Sequence, residues 1–389
     1  MNMPKSVWWL VIGMALNITG SSFLWPLNTI YMNEELDKSL TIAGLVLMIN
    51  SFGMVIGNLL GGMLFDKLGG YRTIIIGTVI CLMSTTLLNF FHGWPWYAVW
   101  LVALGFGGGM IVPAIYALAG AVWPQGGRQT FNAIYLAQNL GVAIGAASGG
   151  IVAELSFNYI FIANLLMYVA FAIVAVTQFK INLDVKVKST DAMSLLSKAY
   201  RPQFIALTLL CVMFSICWIA YIQWESTIAS FTQEINISMS QYSLLWTVNG
   251  IMILVAQPLI LPVIRLLKGN LKYQMLVGIV IFILSFFVTS FAEQFSIFMV
   301  AMIILTLGEM FVWPAVPTIA NQLAPKGKEG SFQGYVNSAA TVGKAFGPLI
   351  GGVVVDSFNM QAMFLSMIVL LLIALVFLLI YDKKLPKDT

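Results

Sequence analysis

Three ionisable residues stand inside long apolar runs: Glu225, Glu309 and Lys344. Glu225 sits in Ile222-Gln223-Trp224-Glu225-Ser226, Glu309 in Thr306-Leu307-Gly308-Glu309, and Lys344 beside Gly343. An ionisable group at the centre of a membrane costs about 3 kcal/mol or more, so each is a candidate functional residue. A carboxyl placed there can take up a proton on one side and release it on the other, which is the work of a proton carrier. Glu225 and Glu309 are therefore the candidate proton-coupling residues. Lys344 has two readings, an ion-pair partner of Glu309 at similar depth or a direct contact for substrate. Asp356 and Glu154 fall at run ends near water and read as boundary charges, and His92, beside Gly93, reads as an ordinary polar residue.

Aromatic and amide side chains share the depth of these charges. They are Trp25, Trp218, Trp224, Trp246 and Trp313, with Asn17, Asn28, Gln138, Asn139, Gln223 and Asn249. Aromatic faces beside carboxylates suit a lipophilic cation, through stacking and cation–π attraction that demand little exact geometry. Glu225, Glu309 and Lys344 join the substrate-binding set on the same reasoning. Tryptophan is also enriched at membrane–water interfaces, and Trp8, Trp9, Trp94, Trp96 and Trp100 fit that belt better.

The elements that must position these groups follow from composition. Of 389 residues, 60% are hydrophobic and 9% charged, against about 25% charged in a soluble domain. The apolar composition runs from end to end, so the chain is a polytopic membrane protein. A net charge of +4 spread over loops makes no basic face for nucleic acid. Three cysteines in apolar runs (Cys81, Cys211, Cys217) and one histidine favour neither a disulfide framework nor a zinc site, and no cofactor is expected.

A helix needs about 20 apolar residues to cross the hydrocarbon layer. Twelve such runs are present: 6–32, 40–65, 73–92, 96–123, 129–155, 158–179, 203–230, 241–267, 273–292, 294–323, 330–355 and 359–381. The first is too long for a cleavable signal and reads as a spanning helix. All-α architecture follows, because backbone amides in lipid must be satisfied within their own segment. With the N-terminus inside, 17 of the 19 basic residues fall in cytoplasmic loops, among them Lys5, Lys186, Lys188, Lys198, Lys384 and Lys387. Lys38 falls outside. Both termini are therefore expected in the cytoplasm.

The longest polar stretch divides the chain into a six-helix bundle at 1–180, a linker at 181–202, a second bundle at 203–382 and a tail at 383–389. Pro113, Ala114, Pro124 and Gly126 match Pro314, Ala315, Pro325 and Gly327 at a constant offset of 201. GAASGGIVAE (145–154) parallels GPLIGGVVVD (347–356) at an offset of 202. The copies share an orientation, so the repeat is parallel, with its axis along the membrane normal. Between the second and third runs lies Gly62-Met-Leu-Phe-Asp66-Lys67-Leu68-Gly69-Gly70-Tyr71-Arg72. Here Asp66 ends a helix, free to accept from a neighbouring helix's amides or from Arg128. Gly69 permits a tight turn, and Lys67 and Arg72 hold the segment at the headgroups.

The parallel repeat and this loop resemble the major facilitator transporters, whose loop motif G-x-x-x-D-R/K-x-G-R/K-R/K is matched with a departure at Gly70. The resemblance implies twelve helices in two six-helix bundles around a central cavity, a monomer, and a cytoplasmic latch built from Asp66, Lys67, Gly69, Arg72 and Arg128. It also places the seventh and tenth helices, which carry Glu225 and Glu309, on the transport path. Tyr135-Leu136-Ala137-Gln138-Asn139-Leu140, Gln223-Trp224-Glu225, and Thr306-Leu307-Gly308-Glu309 with Pro314 resemble the proton-coupled multidrug antiporters. In the lactococcal type of multidrug/proton permease, acids in the seventh and tenth helices serve proton coupling and cation recognition, and these map onto Glu225 and Glu309. Two departures stand out. Ile134 occupies the place of a further acid, and Trp100 to Gly109 holds no basic residue where the antiporters carry an arginine. The expected partners are a small-molecule substrate, protons and the lipid bilayer. The expected function is proton-coupled efflux of lipophilic, often cationic, compounds. The alternative is a proton-coupled carrier of one metabolite or lipid, with Lys344 recognising an anionic group. A primary pump would need a phosphate-binding loop, which this sequence lacks, and an enzyme would need clustered nucleophile, base or metal ligands.

Overall fold

The computed structural model describes residues 3–24, 27–181 and 200–385. Trp25, Lys186, Lys188, Lys198, Lys387 and most of the expected linker lie outside the described residues, as does the side chain of Glu154. The described residues are helical, with no strand among them. Each of the twelve apolar runs holds a helix: α1 (Lys5–Leu24), α2 (Leu40–Leu68), α3 (Gly70–Phe90), α4 (Trp96–Val122), α5 (Arg128–Leu155), α6 (Phe157–Gln178), α7 (Arg201–Tyr221), α8 (Met239–Val255), α9 (Leu271–Thr289), α10 (Phe295–Leu323), α11 (Glu329–Ser357) and α12 (Met360–Ile380).

Ten of these regions are long and apolar enough to cross a bilayer. An eleventh is the pair formed by α8 and Gln257–Leu266, bent by 58° at Ala256. The sequence predicts one span there, but Pro258 lacks an N–H and its ring collides with the preceding turn, so the helix breaks. The remaining helix, α5, has 28 residues and at about 1.5 Å per residue is long enough to span. Its Gln138, Asn139 and several glycines dilute its hydropathy, and the expected count of twelve includes it.

Small polar residues start the helices where the chain turns back. Ser39, Ser156, Asn270 and Asn359 each accept a backbone N–H of the first turn, and Ser238 and Gln241 form a reciprocal capping box. Gly69 separates α2 from α3 at φ +83°, a value only glycine adopts cheaply.

The chain divides into two compact units, one of Met1–Ala192 with Ala324–Ser338, the other of Met193–Leu323 with Ala339–Thr389. Their internal packing follows one plan. In the first, α1 packs on α6, and α4 on both α2 and α3. In the second, α7 packs on α12, and α10 on both α8 and α9. Backbone contact between helices is made by glycines. A Cβ on Gly141 would lie 2.8 Å from the Ala15 carbonyl oxygen in the first unit, and one on Gly343 2.5 Å from the Ser215 carbonyl oxygen in the second. The beginning of α11 belongs to the first unit, where Gly330 and Gly334 face Gly62 and Asn58 of α2.

Candidate functional site

The site of interest lies within the second unit and is built from α7, α8, α10 and α11. Glu309, in the middle of α10, is 2% exposed. Its Oε2 accepts from Tyr221 Oη at 3.1 Å and from Asn249 Nδ2 at 3.0 Å. Asn249 also donates to Thr306 Oγ1 at 2.9 Å. Thr306 and Glu309 are three residues apart and share a face of α10, which is why one α8 amide reaches both. Two neutral donors converging on one carboxylate oxygen offset part of the desolvation cost of placing it there.

Tyr221 belongs to an aromatic stack. Trp218 and Trp313 lie face to face, 4.6 Å between centroids and 19° between planes. Tyr221 meets both edge-on, at 5.3 and 5.5 Å, and meets Trp246 at 6.2 Å. Lys344 Nζ sits 3.9 Å from the centroid of the Trp218 ring. Gly343 makes that approach possible, since a Cβ there would lie 2.6 Å from Trp218 Cβ. Lys344 is exposed. Of the two sequence readings for Lys344, a pair with Glu309 or a contact for substrate, both stay open, and its ammonium rests on a ring face.

Glu225 does not stand inside a continuous helix. α7 ends at Tyr221, Ile222–Trp224 form a turn of 3-10 helix, and a short helix resumes over Thr227–Glu234. The Glu225 amide closes the 3-10 turn onto the Ile222 carbonyl at 3.0 Å. Its side chain is half-buried at this break. Trp218 and Tyr221, three residues apart, share a face at the end of α7, and Glu225 follows beyond the break.

Two residues expected on the substrate wall are spent on packing. Gln223 and Trp224 are wholly buried. Gln223 Nε2 donates to the Gly347 carbonyl at 2.7 Å and to that of Ile219 at 2.9 Å, and its Oε1 accepts from Thr227 at 2.7 Å. Both ends of the amide are occupied in holding the break of α7 against α11. Trp246 Nε1 donates to Tyr242 Oη at 2.9 Å, and Tyr242 donates to the Trp224 carbonyl at 2.6 Å, so Trp246 borders the stack through a fixed hydrogen-bonded chain.

Asn28, Gln138 and Asn139 belong to the first unit and are bonded within it. Tyr97 Oη donates to Asn28 at 2.6 Å, Tyr116 Oη to Gln138 at 2.8 Å, and Asn139 Nδ2 to its own helix at the Tyr135 carbonyl. His92 stacks on Phe161 at 5.3 Å and borders a cavity of about 500 Å³ with Tyr31, Glu35 and Phe157.

The loop motif forms a second arrangement within the first unit. Asp66 is buried, and it accepts from the backbone N–H of Gly330 at 2.8 Å, the backbone N–H of Ser331 at 2.9 Å and the Ser331 hydroxyl. Of the two partners open to it in the sequence, the amides are the ones engaged. A carboxylate at the start of α11 meets unsatisfied N–H groups and the positive end of the helix dipole. Gly62 lets α2 come this close, since a Cβ there would lie 2.9 Å from the Gly330 carbonyl carbon. Lys67 and Arg72 are exposed, and Arg128 is half-buried at the start of α5.

Tyr221 and Thr306 were not among the expected site residues. For Thr306 the signal was present, three residues before Glu309 on the same helical face, whereas Tyr221 is separated from Glu225 by the break of α7.

Known proteins share both the sequence and the fold. The chain matches the Major Facilitator Superfamily over residues 10–230 and 219–389. It is 54% identical over 382 residues to the MFS-type transporter YttB of Bacillus subtilis (strain 168), covering 98% of this chain and 96% of that protein. It is 25% identical over 368 residues to the quinolone resistance protein NorA of Staphylococcus aureus (strain MSSA476), covering 91% of each. Among solved structures, the human organic anion transporter MFSD10 (TETRAN) superposes with a TM-score of 0.79 at 16% identity, over 97% of this chain and 100% of that one. The POT family transporter PepTSo superposes with a TM-score of 0.71 at 15% identity, over 99% and 98%. With a family match that spans nearly the whole sequence and a relative identical at more than half of its positions, this chain is a membrane transporter and belongs to the Major Facilitator Superfamily.

Proposed function

We propose that the protein exports lipophilic compounds, cationic ones among them, in exchange for protons by alternating access. The carrying observation is Glu309, a carboxylate buried at mid-span and held by Tyr221 and Asn249 beside the Trp218–Trp313 stack. The relation to NorA, a quinolone resistance protein, supports the same reading. Protonation of Glu309 removes its charge, so the hydrogen bonds from Tyr221 and Asn249 lose their charge assistance and weaken. Proton and substrate thereby bias one two-state element, which is the condition for coupling. Glu225, at the break of α7, is the second proton-coupling residue and the more accessible anion for a cationic substrate. Asp66, with Lys67, Gly69, Arg72 and Arg128, forms the gating group, holding the start of α11 in one state and releasing it in the other. The protein works as a monomer with twelve spans and both termini in the cytoplasm.

The test uses purified protein in liposomes with an imposed pH gradient and a panel of lipophilic cations. Accumulation of a cation that collapses with a protonophore is expected. Cation movement without any proton movement would overturn the reading. A second reading is favoured by the exposed position of Lys344: a carrier in which that ammonium binds an anionic group. Saturable competition by a carboxylate-bearing compound, with none by cations, would establish it instead.

A further inference from the structure

We infer that Lys344 is a resident cation: its ammonium occupies the aromatic seat of the site, and an incoming cation must displace it from the Trp218 ring. This rests on the cation reading proposed above and specifies it. An aromatic face with a carboxylate close by is the environment that binds an ammonium or quaternary cation. The second unit builds that environment from Trp218, Trp313, Tyr221, Glu225 and Glu309 and places its own lysine on it, with Nζ 3.9 Å from the ring centroid. Gly343, the residue before Lys344, allows α11 to meet α7 next to this ring.

Charge arithmetic gives the consequence. Two carboxylates and one ammonium leave the cluster one negative charge when both acids are ionised. A monovalent cation neutralises it, and so does a single proton. The ammonium thus sets the charge class of the substrate and the exchange of one proton for one positive charge. A dication would leave the site with an excess positive charge at membrane depth, which the surrounding apolar helices penalise.

The test measures binding of two probes to detergent-solubilised full-length protein by quenching of tryptophan fluorescence. One is tetraphenylphosphonium, and the other is an aromatic bis-quaternary ammonium dication. Lys344→Met empties the seat and leaves two acids. It is expected to raise affinity for the dication by about tenfold, the scale of one cation–π contact, and to raise that for the monocation by less. Lys344→Gln, closer in polarity, guards against a Met variant that does not fold and is expected to move the same way. Lys344→Arg keeps the charge and restores the preference for the monocation. Wild type that binds tetraphenylphosphonium, with Met and Gln variants whose ratio of the two affinities is unchanged, overturns this inference and leaves the cation reading standing. A wild-type protein that binds neither probe removes the cation reading and this inference with it.

Discussion

Gly77 and Gly107 in the first unit, and Gly278 and Gly308 in the second, let pairs of helices touch along their backbones. In the first pair each Cβ would lie 3.0 Å from the other's carbonyl oxygen, and in the second 2.9 and 2.8 Å. The offset of 201 that aligns these glycines also aligns Glu309 with Gly108. Along α5 and α11, an offset of 202 aligns Lys344 with Val142, and the matched contacts of α1 and α7 pair Trp218 with Ile18 and Tyr221 with Ser21. The repeat thus preserves what close packing needs and keeps the charges and the ring stack in one copy only. Packing cannot explain them, because the first unit packs by the same plan without them. Residues that break the local rules of an apolar interior are where function is to be sought.

The largest expected effect breaks this asymmetry at its centre. Glu309→Gln keeps the size of the side chain and removes its ionisation. Proton-driven accumulation in liposomes should fall to the level seen without a pH gradient, while exchange of labelled for unlabelled substrate persists. Uphill accumulation that survives in the Glu225→Gln/Glu309→Gln double variant would show that the coupling residues lie elsewhere, and the contrast between the units would lose its meaning.

How far this site was legible in the sequence depends on what fixes each residue. Glu309, Glu225 and Lys344 were found because a charge in an apolar run is expensive whatever surrounds it. The glycine repeats and the all-helical architecture were legible for a similar reason, since spanning and close packing constrain residue type. Facing is different. Gln223 and Trp224 share the depth of the charges, yet depth does not say which way a side chain points, and both are buried in packing. The break at Ile222–Trp224 left no signal, because Ile222-Gln223-Trp224-Glu225-Ser226 contains neither proline nor glycine. The bend after α8 was marked by Pro258 and could have been read there.

A second contrast concerns the cytoplasmic turns. Gly69 at φ +83° and Gly269 at φ +71° occupy matching places, but the residue matching Asp66 is Leu266, which is 80% exposed. Only the first turn carries an acid, and that acid holds the start of α11. Asp66→Asn sets an amide donor against a backbone N–H and costs about 1–3 kcal/mol. Spin labels at Lys67→Cys and Lys326→Cys should then report an added population at longer distance, with transport impaired and the protein retained in the membrane. An unchanged distance distribution would reduce Asp66 to a cap without a gating role.

Glu225→Gln should act more weakly, because Glu225 is half-buried at a helix break. Loss of one partly solvated charge contact is worth about 1 kcal/mol, or about fivefold in the apparent affinity for cations. Neutral substrates should be unaffected. A loss of equal size for neutral and cationic substrates would assign Glu225 to the packing of the α7 break instead.

The smallest expected effect sits opposite the largest. Gly108 occupies the place of Glu309 in the repeat, and a Cβ added there would meet nothing within 4 Å. It lies within α4, where alanine is favoured over glycine by about 1 kcal/mol. Gly108→Ala should therefore leave the rate of export within a factor of about two and raise thermal stability slightly. The same change at Gly107, one residue away, puts a Cβ 3.0 Å from the Gly77 carbonyl and should lower stability. If Gly108→Ala stops transport while the protein remains folded, that open space is needed by a moving helix or a substrate. The first unit would then hold a working position where Glu309 sits in the second, and the chemistry would be shared between the units.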